Sequence, residues 1–326
     1  IPLIIKFFFM EVFIIFRYFF INIILLMIEY YKNYLLIMVQ TKRRLPEWFK
    51  VQAPTSDNFN SLKGKLSSAK LNTVCEEAAC PNIGECWDRG TATFMILGDI
   101  CTRACRYCNV KTGRPSQIDI FEPSRVANTV KQMGLSYSVV TSVDRDDLVD
   151  GGAGAFAMTI RQIKKFNPDC KVEVLIPDFN GNKSSLETVL KASPDVLNHN
   201  IETCRRVFRT VRPKGDYDQS LELLRRVKQL NSKIPTKSGM MVGLGETEDE
   251  IIETMNDLRN VNCDLLTIGQ YLRPSKKHHK IDKFYHPREF TKLEHIGMEL
   301  GFKHVAAGPL VRSSYHADEQ HKASKK

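Results

Sequence analysis

From residue 93 onward the hydrophobic positions fall into a repeating pattern. Short apolar runs rich in β-branched residues occupy 93–100, 137–143, 172–177, 196–201, 237–242 and 265–271. Longer amphipathic stretches separate them. Within 218–230, Leu221, Leu224, Val227 and Leu230 recur every three residues, the narrow apolar stripe of a surface helix. Ser184-x-x-Glu187 and Thr247-x-x-Glu250 have the form of capping-box starts, while Gly134 and Gly301 stand where helices should stop. Six strands each followed by a helix predict a parallel sheet with right-handed crossovers. Six rather than eight predicts an α/β fold of the partial, open barrel type, with its active groups at the C-terminal strand ends.

The flanks do not share this pattern. Residues 1–37 are dominated by Ile, Phe, Leu, Tyr, Asn and Lys and contain no Ala or Gly. Residues 12–28 hold 15 apolar or aromatic residues against Arg17 and Asn22, close to the shortest stretch that spans a bilayer. A basic n-region, a small-residue cleavage site and a Ser/Arg bias are all missing, so the stretch reads poorly as a signal or transit peptide. It is read as an apolar extension upstream of Met38 that does not belong to the native protein, with a membrane tether as the alternative. Residues 38–72 are polar, broken by Pro46 and Pro54, with Trp48 and Phe49 available to pack on a neighbour. The predicted divisions are 1–37, an N-terminal extension at 38–90, the barrel at 91–300 and a C-terminal segment at 301–326.

Charge adds little. The formal net charge of +10 favours acidic partners in general. Its basic residues are scattered through the predicted helices and no RNA-binding signature with interleaved aromatics accompanies them, so a solvated face is expected and nucleic acid is not.

The cysteines carry more information. Six of the nine lie in two groups, Cys75-x4-Cys80-x5-Cys86 and Cys101-x3-Cys105-x2-Cys108. Three thiolates are one short of the four that fill a zinc site or complete the cysteine ligation of a 4Fe-4S cluster, so each group points to a cluster with one iron left for another ligand. Zinc sites favour separated CxxC pairs or Cys/His mixtures, disulfide frameworks serve small secreted chains, and ferredoxin-like carriers show a CxxCxxCxxxCP run. Thiolates on iron need a reducing compartment, and a cytoplasmic location is expected. Cys170, Cys204 and Cys263 lack partners at ligand spacing and read as small buried residues.

CxxxCxxC with Tyr107 before its last cysteine resembles the radical S-adenosylmethionine (SAM) signature. The run 75–87, CEEAACPNIGECW, with Arg312-Ser313-Ser314-Tyr315 near the C-terminus, resembles the lipoyl synthase family. The similarity covers roughly residues 45–320. It implies a TIM-like (β/α)6 radical SAM barrel with N- and C-terminal extensions over its mouth. Cys101, Cys105 and Cys108 would then hold the 4Fe-4S cluster that binds SAM. Cys75, Cys80 and Cys86 would hold an auxiliary 4Fe-4S cluster, whose fourth ligand the family draws from a serine of the C-terminal motif; Ser313 is assigned, with Ser314 the second choice. The implied reaction inserts two sulfur atoms, at C6 and C8, into an octanoyl chain on a lipoyl-domain lysine. Implied partners are octanoylated lipoyl domains of 2-oxoacid dehydrogenase complexes or the glycine cleavage H protein, a ferredoxin or flavodoxin as reductant, and an iron-sulfur carrier that rebuilds the donor cluster. A biotin-synthase-like enzyme would lack the first cysteine group. A methylthiotransferase would need a further nucleic-acid-binding domain, and an iron-sulfur carrier or scaffold would bind iron without cleaving SAM.

Further candidates stand at the predicted strand ends. Ser142 and Asp144 end the second strand, where such enzymes hold the methionine amino group. His199, Asn200 and Glu202 end the fourth, and residues 242–246, with two glycines, end the fifth. Tyr107 is expected to contact adenine. Arg212 has the planar fork that holds a carboxylate, or else forms a surface ion pair. His278 and His279, among Lys276, Lys277 and Lys280, are read as a loop over the mouth.

Overall fold

Each of the six apolar runs contributes a strand, and the helices between them order the strands into one sheet. The computed structural model describes residues 21, 23–24, 26–29, 45–51, 56–69, 71–77, 80–89 and 91–325. In chain order the strands are β1 (Asn72–Thr73), β2 (Thr91–Ile96), β3 (Ile100–Cys101), β4 (Lys111–Thr112), β5 (Tyr137–Ser142), β6 (Lys171–Leu175), β7 (Val196–Asn198), β8 (Thr236–Val242), β9 (Leu265–Gln270) and β10 (His304–Gly308). The main sheet runs β1-β2-β5-β6-β7-β8-β9-β10, and β3 pairs with β4 beside it. From β2 to β10 every neighbour is parallel; β1 lies antiparallel on β2.

Of the apolar extension expected at 1–37, Ile21, Ile23, Ile24 and 26–29 are helical and exposed, and the rest lies outside the described residues. Among the described residues no helix is long and apolar enough to cross a membrane. The chain divides into two compact units, Ile1–Glu47 and Trp48–Lys326, and the barrel lies wholly within the second.

Four expectations change. The sheet has seven parallel strands, not six, because His304–Gly308 joins β9 in register, with Val305 opposite Leu266. The strand expected at 93–100 leaves the sheet at Ile96, where Leu97 and Gly98 take φ of 70° and 92°. Leu97 is held in this unfavourable conformation by its amide, which donates to Glu122 at 2.7 Å, and its carbonyl accepts from Arg145 at 3.3 Å. The chain thereby turns from the sheet into the cysteine loop. The helix expected to start at Ser184 is capped instead by Asn182, whose side chain accepts from the amides of Ser184 and Ser185. Thr247 and Glu250 do form a capping box, and Gly134 ends its helix in the left-handed conformation. Leu221, Leu224 and Val227 are buried, but Leu230 stays 40% exposed, so the stripe stops one turn early.

The barrel interior contains a buried charge pair. Lys237 on β8 lies 3.1 Å from Glu173 on β6, and Glu173 also accepts from the Tyr137 hydroxyl at 2.9 Å and the Asn198 amide at 3.1 Å. Four strands are tied together this way. Burial depresses the Lys237 pKa and Glu173 opposes the shift. Near Tyr137 the helix Ala317–Ala323 packs against both β5 and β10, so it bridges the open side of the barrel. At the other flank Phe59 stacks on Trp87 at 5.0 Å, while Trp48 and Phe49 meet His286 and Phe284.

Removing one member of a buried pair strands the other charge. Lys237→Met is therefore expected to cost about 3–5 kcal/mol of unfolding free energy, read from a denaturant melt. Unchanged stability would mean that Glu173 is satisfied by Tyr137 and Asn198 alone.

Candidate functional site

The loop that carries Cys101, Cys105 and Cys108 lies across the C-terminal ends of the strands. Backbone bonds fix it there: the Thr102 amide donates to Asp144 O at 3.0 Å and the Arg106 amide to Val211 O at 2.7 Å. Cys101 Sγ accepts from the amides of Asp144 at 3.3 Å and Arg103 at 3.4 Å. Two residues beyond Cys101, Arg103 is almost fully buried. Its guanidinium donates to Asp146 at 2.8 and 2.9 Å, to both oxygens of Asp178 at 2.7 Å and to Asn180 at 2.8 Å, with Asp144 3.5 Å away. Burial works against the Asp178 carboxylate, but the hydrogen bonds from Arg103 hold its pKa well below the usual range. Asp146 and Asp178 follow β5 and β6, so one side chain ties the cysteine loop to two strand ends.

Above this anchor the predicted residues assemble. Ser142 Oγ, Asp144 Oδ1, His199 Nε2 and Asn200 Oδ1 are all buried without a hydrogen-bond partner. A buried polar atom left unpaired costs about 1–3 kcal/mol, so four at one mouth mark a place where a polar ligand fits. Glu202 takes φ of 68°; burial raises its pKa, and Arg212, Asn200 and Tyr107 lower it. Burial likewise raises the pKa of Tyr107, whose ring packs on the cluster of Val207, Val211 and Tyr271. Arg212 is not in a surface pair: it is 5% exposed, 3.7 Å from Asp178, and donates to Asn200 O at 3.4 Å. Burial, then Arg212, pushes His199 down to about 4, so at neutral pH it is an uncharged ring, with Nδ1 2.8 Å from Ile176 O.

In the glycine turn at 242–246, Gly243 is packed against the protein itself, while Gly245 faces open space. A Cβ on Gly243 would lie 2.1 Å from the Gln270 amide nitrogen and 2.5 Å from Lys283 O, and the Glu246 carboxylate accepts from the Leu244 amide at 2.9 Å. His278 and His279 pack on the cysteine loop from outside: His278 Nε2 lies 3.0 Å from Cys108 O, and the His279 amide donates to Arg106 O at 2.8 Å.

The first cysteine group lines a separate small pocket with Asn82, Thr91, Thr93, Arg312, Ser314 and Tyr315. Ser314 is part of this lining; Ser313 is not. The segment around the first cysteine group and residues 310–319 meet here through polar contacts. Asn82 donates to Leu310 O at 2.6 Å, and Glu85 meets the Tyr315 hydroxyl at 3.1 Å and the His316 ring at 2.8 Å. Arg89 pairs with Glu319. A Cβ on Gly269 would lie 2.1 Å from Val311 O, so only glycine on β9 lets this segment approach. Burial, reinforced by the neighbouring thiols, pushes Cys75 up to about 11 and Cys86 up to about 12. In the other group burial pushes Cys105 up to about 12 and Cys108 up to about 11. Such thiols are protonated until a metal displaces the proton.

Among the described residues no three His, Cys, Asp or Glu side chains converge as the ligands of a single metal ion must. A cube of four irons takes each thiolate on a different corner, which suits thiols that surround a space rather than a point. Cys170, Cys204 and Cys263 are buried apart from both groups. Sequence reasoning passed over Arg103, Asp178 and Asn180. An acidic residue directly after the third apolar run was the available signal, since strand ends carry barrel chemistry.

A family model for the radical SAM superfamily matches residues 95–258, and one for the N-terminal domain of lipoyl synthase of the radical SAM family matches residues 26–80. The chain is 58% identical over 278 residues to the lipoyl synthase of Shouchella clausii, covering 85% of this chain and 90% of that one. It is 56% identical over 285 residues to the lipoyl synthase of Bacillus velezensis, covering 87% and 96%. The crystal structure of HydG, a maturase of the FeFe-hydrogenase, is alike in fold, with a TM-score of 0.52 at 18% identity over 76% of this chain and 62% of that one. Identity at this level along nearly the whole of its relatives means that the chain belongs to the lipoyl synthase family of radical SAM enzymes, sulfur-inserting catalysts that use SAM and 4Fe-4S clusters.

Proposed function

We propose that the two cysteine groups divide the reaction between them, Cys101, Cys105 and Cys108 holding the cluster that binds SAM and Cys75, Cys80 and Cys86 holding the cluster that donates sulfur. The observation that carries this reading is the pocket in which three N-terminal cysteines and a C-terminal serine come together. Ser314 is the better candidate for the fourth ligand, because it lines that pocket and Ser313 does not. An alkoxide is harder than thiolate and binds iron less durably, so it would mark the iron most readily released when sulfur is given up. The substrate is an octanoyl chain on a lysine of a lipoyl domain, from a 2-oxoacid dehydrogenase complex or the glycine cleavage H protein.

When bound, SAM and the two clusters supply the radical that removes hydrogen at C6 and C8 and the sulfur that takes its place. The chain's own residues bind and orient. Asp144 and Ser142 receive the ammonium of the methionine portion, since both carry buried oxygens with no hydrogen-bond partner and Asp144 stands beside Cys101. Burial works against the charge of Arg212, but Glu202, Asp178 and Asp144 around it hold its pKa up, and it remains a cation facing the same space. Tyr107 offers an apolar ring to the adenine. Arg103 keeps the loop in register over the strand ends, so that ligand and cysteines share one frame.

With anaerobically reconstituted protein, SAM, a strong reductant and an octanoyl-lysyl peptide, mass spectrometry should find two added sulfurs. Cys80→Ala should still release 5′-deoxyadenosine but transfer no sulfur. Release of 5′-deoxyadenosine by wild type without any sulfur addition would sink the substrate assignment. Ser314→Ala should lower sulfur transfer at least about ten-fold while Ser313→Ala stays near wild type, a loss of about 1.4 kcal/mol in transition-state terms; the reverse order would return the ligand role to Ser313. Arg103→Gln leaves Asp146 and Asp178 facing each other and should cost about 3–5 kcal/mol of stability. Bound iron should then fall from about eight per chain toward four, the Cys75 group keeping its share.

A further inference from the structure

The outer edge of the cysteine loop is ringed by unpaired positive charge. Ala104 and Arg106 between its cysteines and Asn109 after the last are exposed, so the loop reaches the surface. Two other loops adjoin it there. Lys214 Nζ lies 3.3 Å from Thr102 O, and the 275–280 loop is bonded to Arg106 O and Cys108 O through His279 and His278. Arg106, Lys214, Lys276, Lys277 and Lys280 are exposed, and none is ion-paired among the described residues. Among the surface carboxylates Asp99 is engaged by Lys111, Glu250 by Arg206 and Glu289 by Lys283. The exposed Asp282 and the half-buried Glu77, whose backbone carbonyl accepts from Asn109, are in no ion pair among the described residues, which leaves the collar with an excess of positive charge. Arg273 and Ser275 bond within the loop, to His278 O and to the His278 ring, which holds Lys276 and Lys277 outward.

We propose that this collar is the docking surface for a small acidic electron-transfer protein that reduces the group held by Cys101, Cys105 and Cys108. The inference rests on the assignment of those cysteines made above. One electron leaves the reduced donor and enters the group behind the loop; no atom or proton changes hands. Two features favour a reductant over the acidic acceptor domain. The collar surrounds the outside of the loop, whereas Ser142, Asp144 and Asn200 open on its inner side, where the chemistry takes place. An electron needs only proximity to the outer edge, while an acyl chain must pass inward. Five cations against Asp282 and Glu77 leave an excess of positive charge, and with it the long-range attraction that speeds encounter with an acidic surface.

The test compares wild type with Lys276→Glu/Lys277→Glu/Lys280→Glu, using a flavodoxin as probe. The dissociation constant at low salt should weaken about ten-fold or more, and the difference should shrink as added salt screens the charges. Dithionite, which needs no docking surface, should drive 5′-deoxyadenosine release equally well in both proteins. An unchanged flavodoxin constant overturns the proposal. So does a variant that keeps flavodoxin binding but loses affinity for an octanoylated lipoyl domain, which would give the collar to the acceptor. If the charge reversal lowers the dithionite rate, the Lys→Gln triple variant decides: weakened flavodoxin binding with an unshifted melt supports the collar, and retained binding rules it out. Failure of wild type itself to cleave SAM with dithionite would strike the functional reading, separately from the binding comparison.

Discussion

The structure turns on the Arg103 guanidinium. A loop with three cysteines has little apolar surface with which to hold itself over a barrel mouth, so its position depends on directed bonds. Arg103 supplies five such bonds in a fixed plane, to residues after two different strands. A lysine at this position would offer a single charge without the fork. The arrangement carries a desolvation cost, which is offset only because both carboxylates and Asn180 complete the geometry. Cys101, which accepts from the Arg103 amide, and Asp144, 3.5 Å from the guanidinium, take their places from it.

The mouth and the auxiliary pocket solve the same problem differently. At the mouth, buried polar atoms are left unpaired and the cost is borne by the barrel beneath, whose Lys237–Glu173 pair and layered aliphatic core over-determine the strand ends. At the pocket, few groups are unpaired, and the second wall is brought in from the far end of the chain. Gly269 makes this possible, since any side chain there would keep the C-terminal segment away from β9.

Much of this was readable beforehand. Continuous β-branched runs separated by amphipathic stretches gave away the parallel sheet, and both cysteine groups stood out by spacing alone. His304–Gly308 escaped because two alanines, a histidine and a glycine have no strand signature; only pairing with β9 makes them one. Arg103 escaped for another reason. Its partners sit 43 and 75 residues away, and no local pattern records which carboxylates will face an arginine once strands are side by side. The choice between Ser313 and Ser314 also depends on the turn they occupy, where successive side chains diverge. Arg212, equally plausible as a surface residue, is buried because its helix Arg205–Val211 ends against the mouth.

The contacts that close the auxiliary pocket join residues 228 to 231 positions apart. Such contacts are among the slowest to form, because most of the chain must be ordered before the two ends are neighbours. A ribosome delivers the chain N-terminus first, so Cys75, Cys80 and Cys86 emerge long before Leu310 and Ser314 exist. A chain that has not yet delivered Leu310 and Ser314 cannot present the finished pocket. Its assembly waits for that segment, and until then these three thiols have only the walls supplied by Asn82, Thr91 and Thr93.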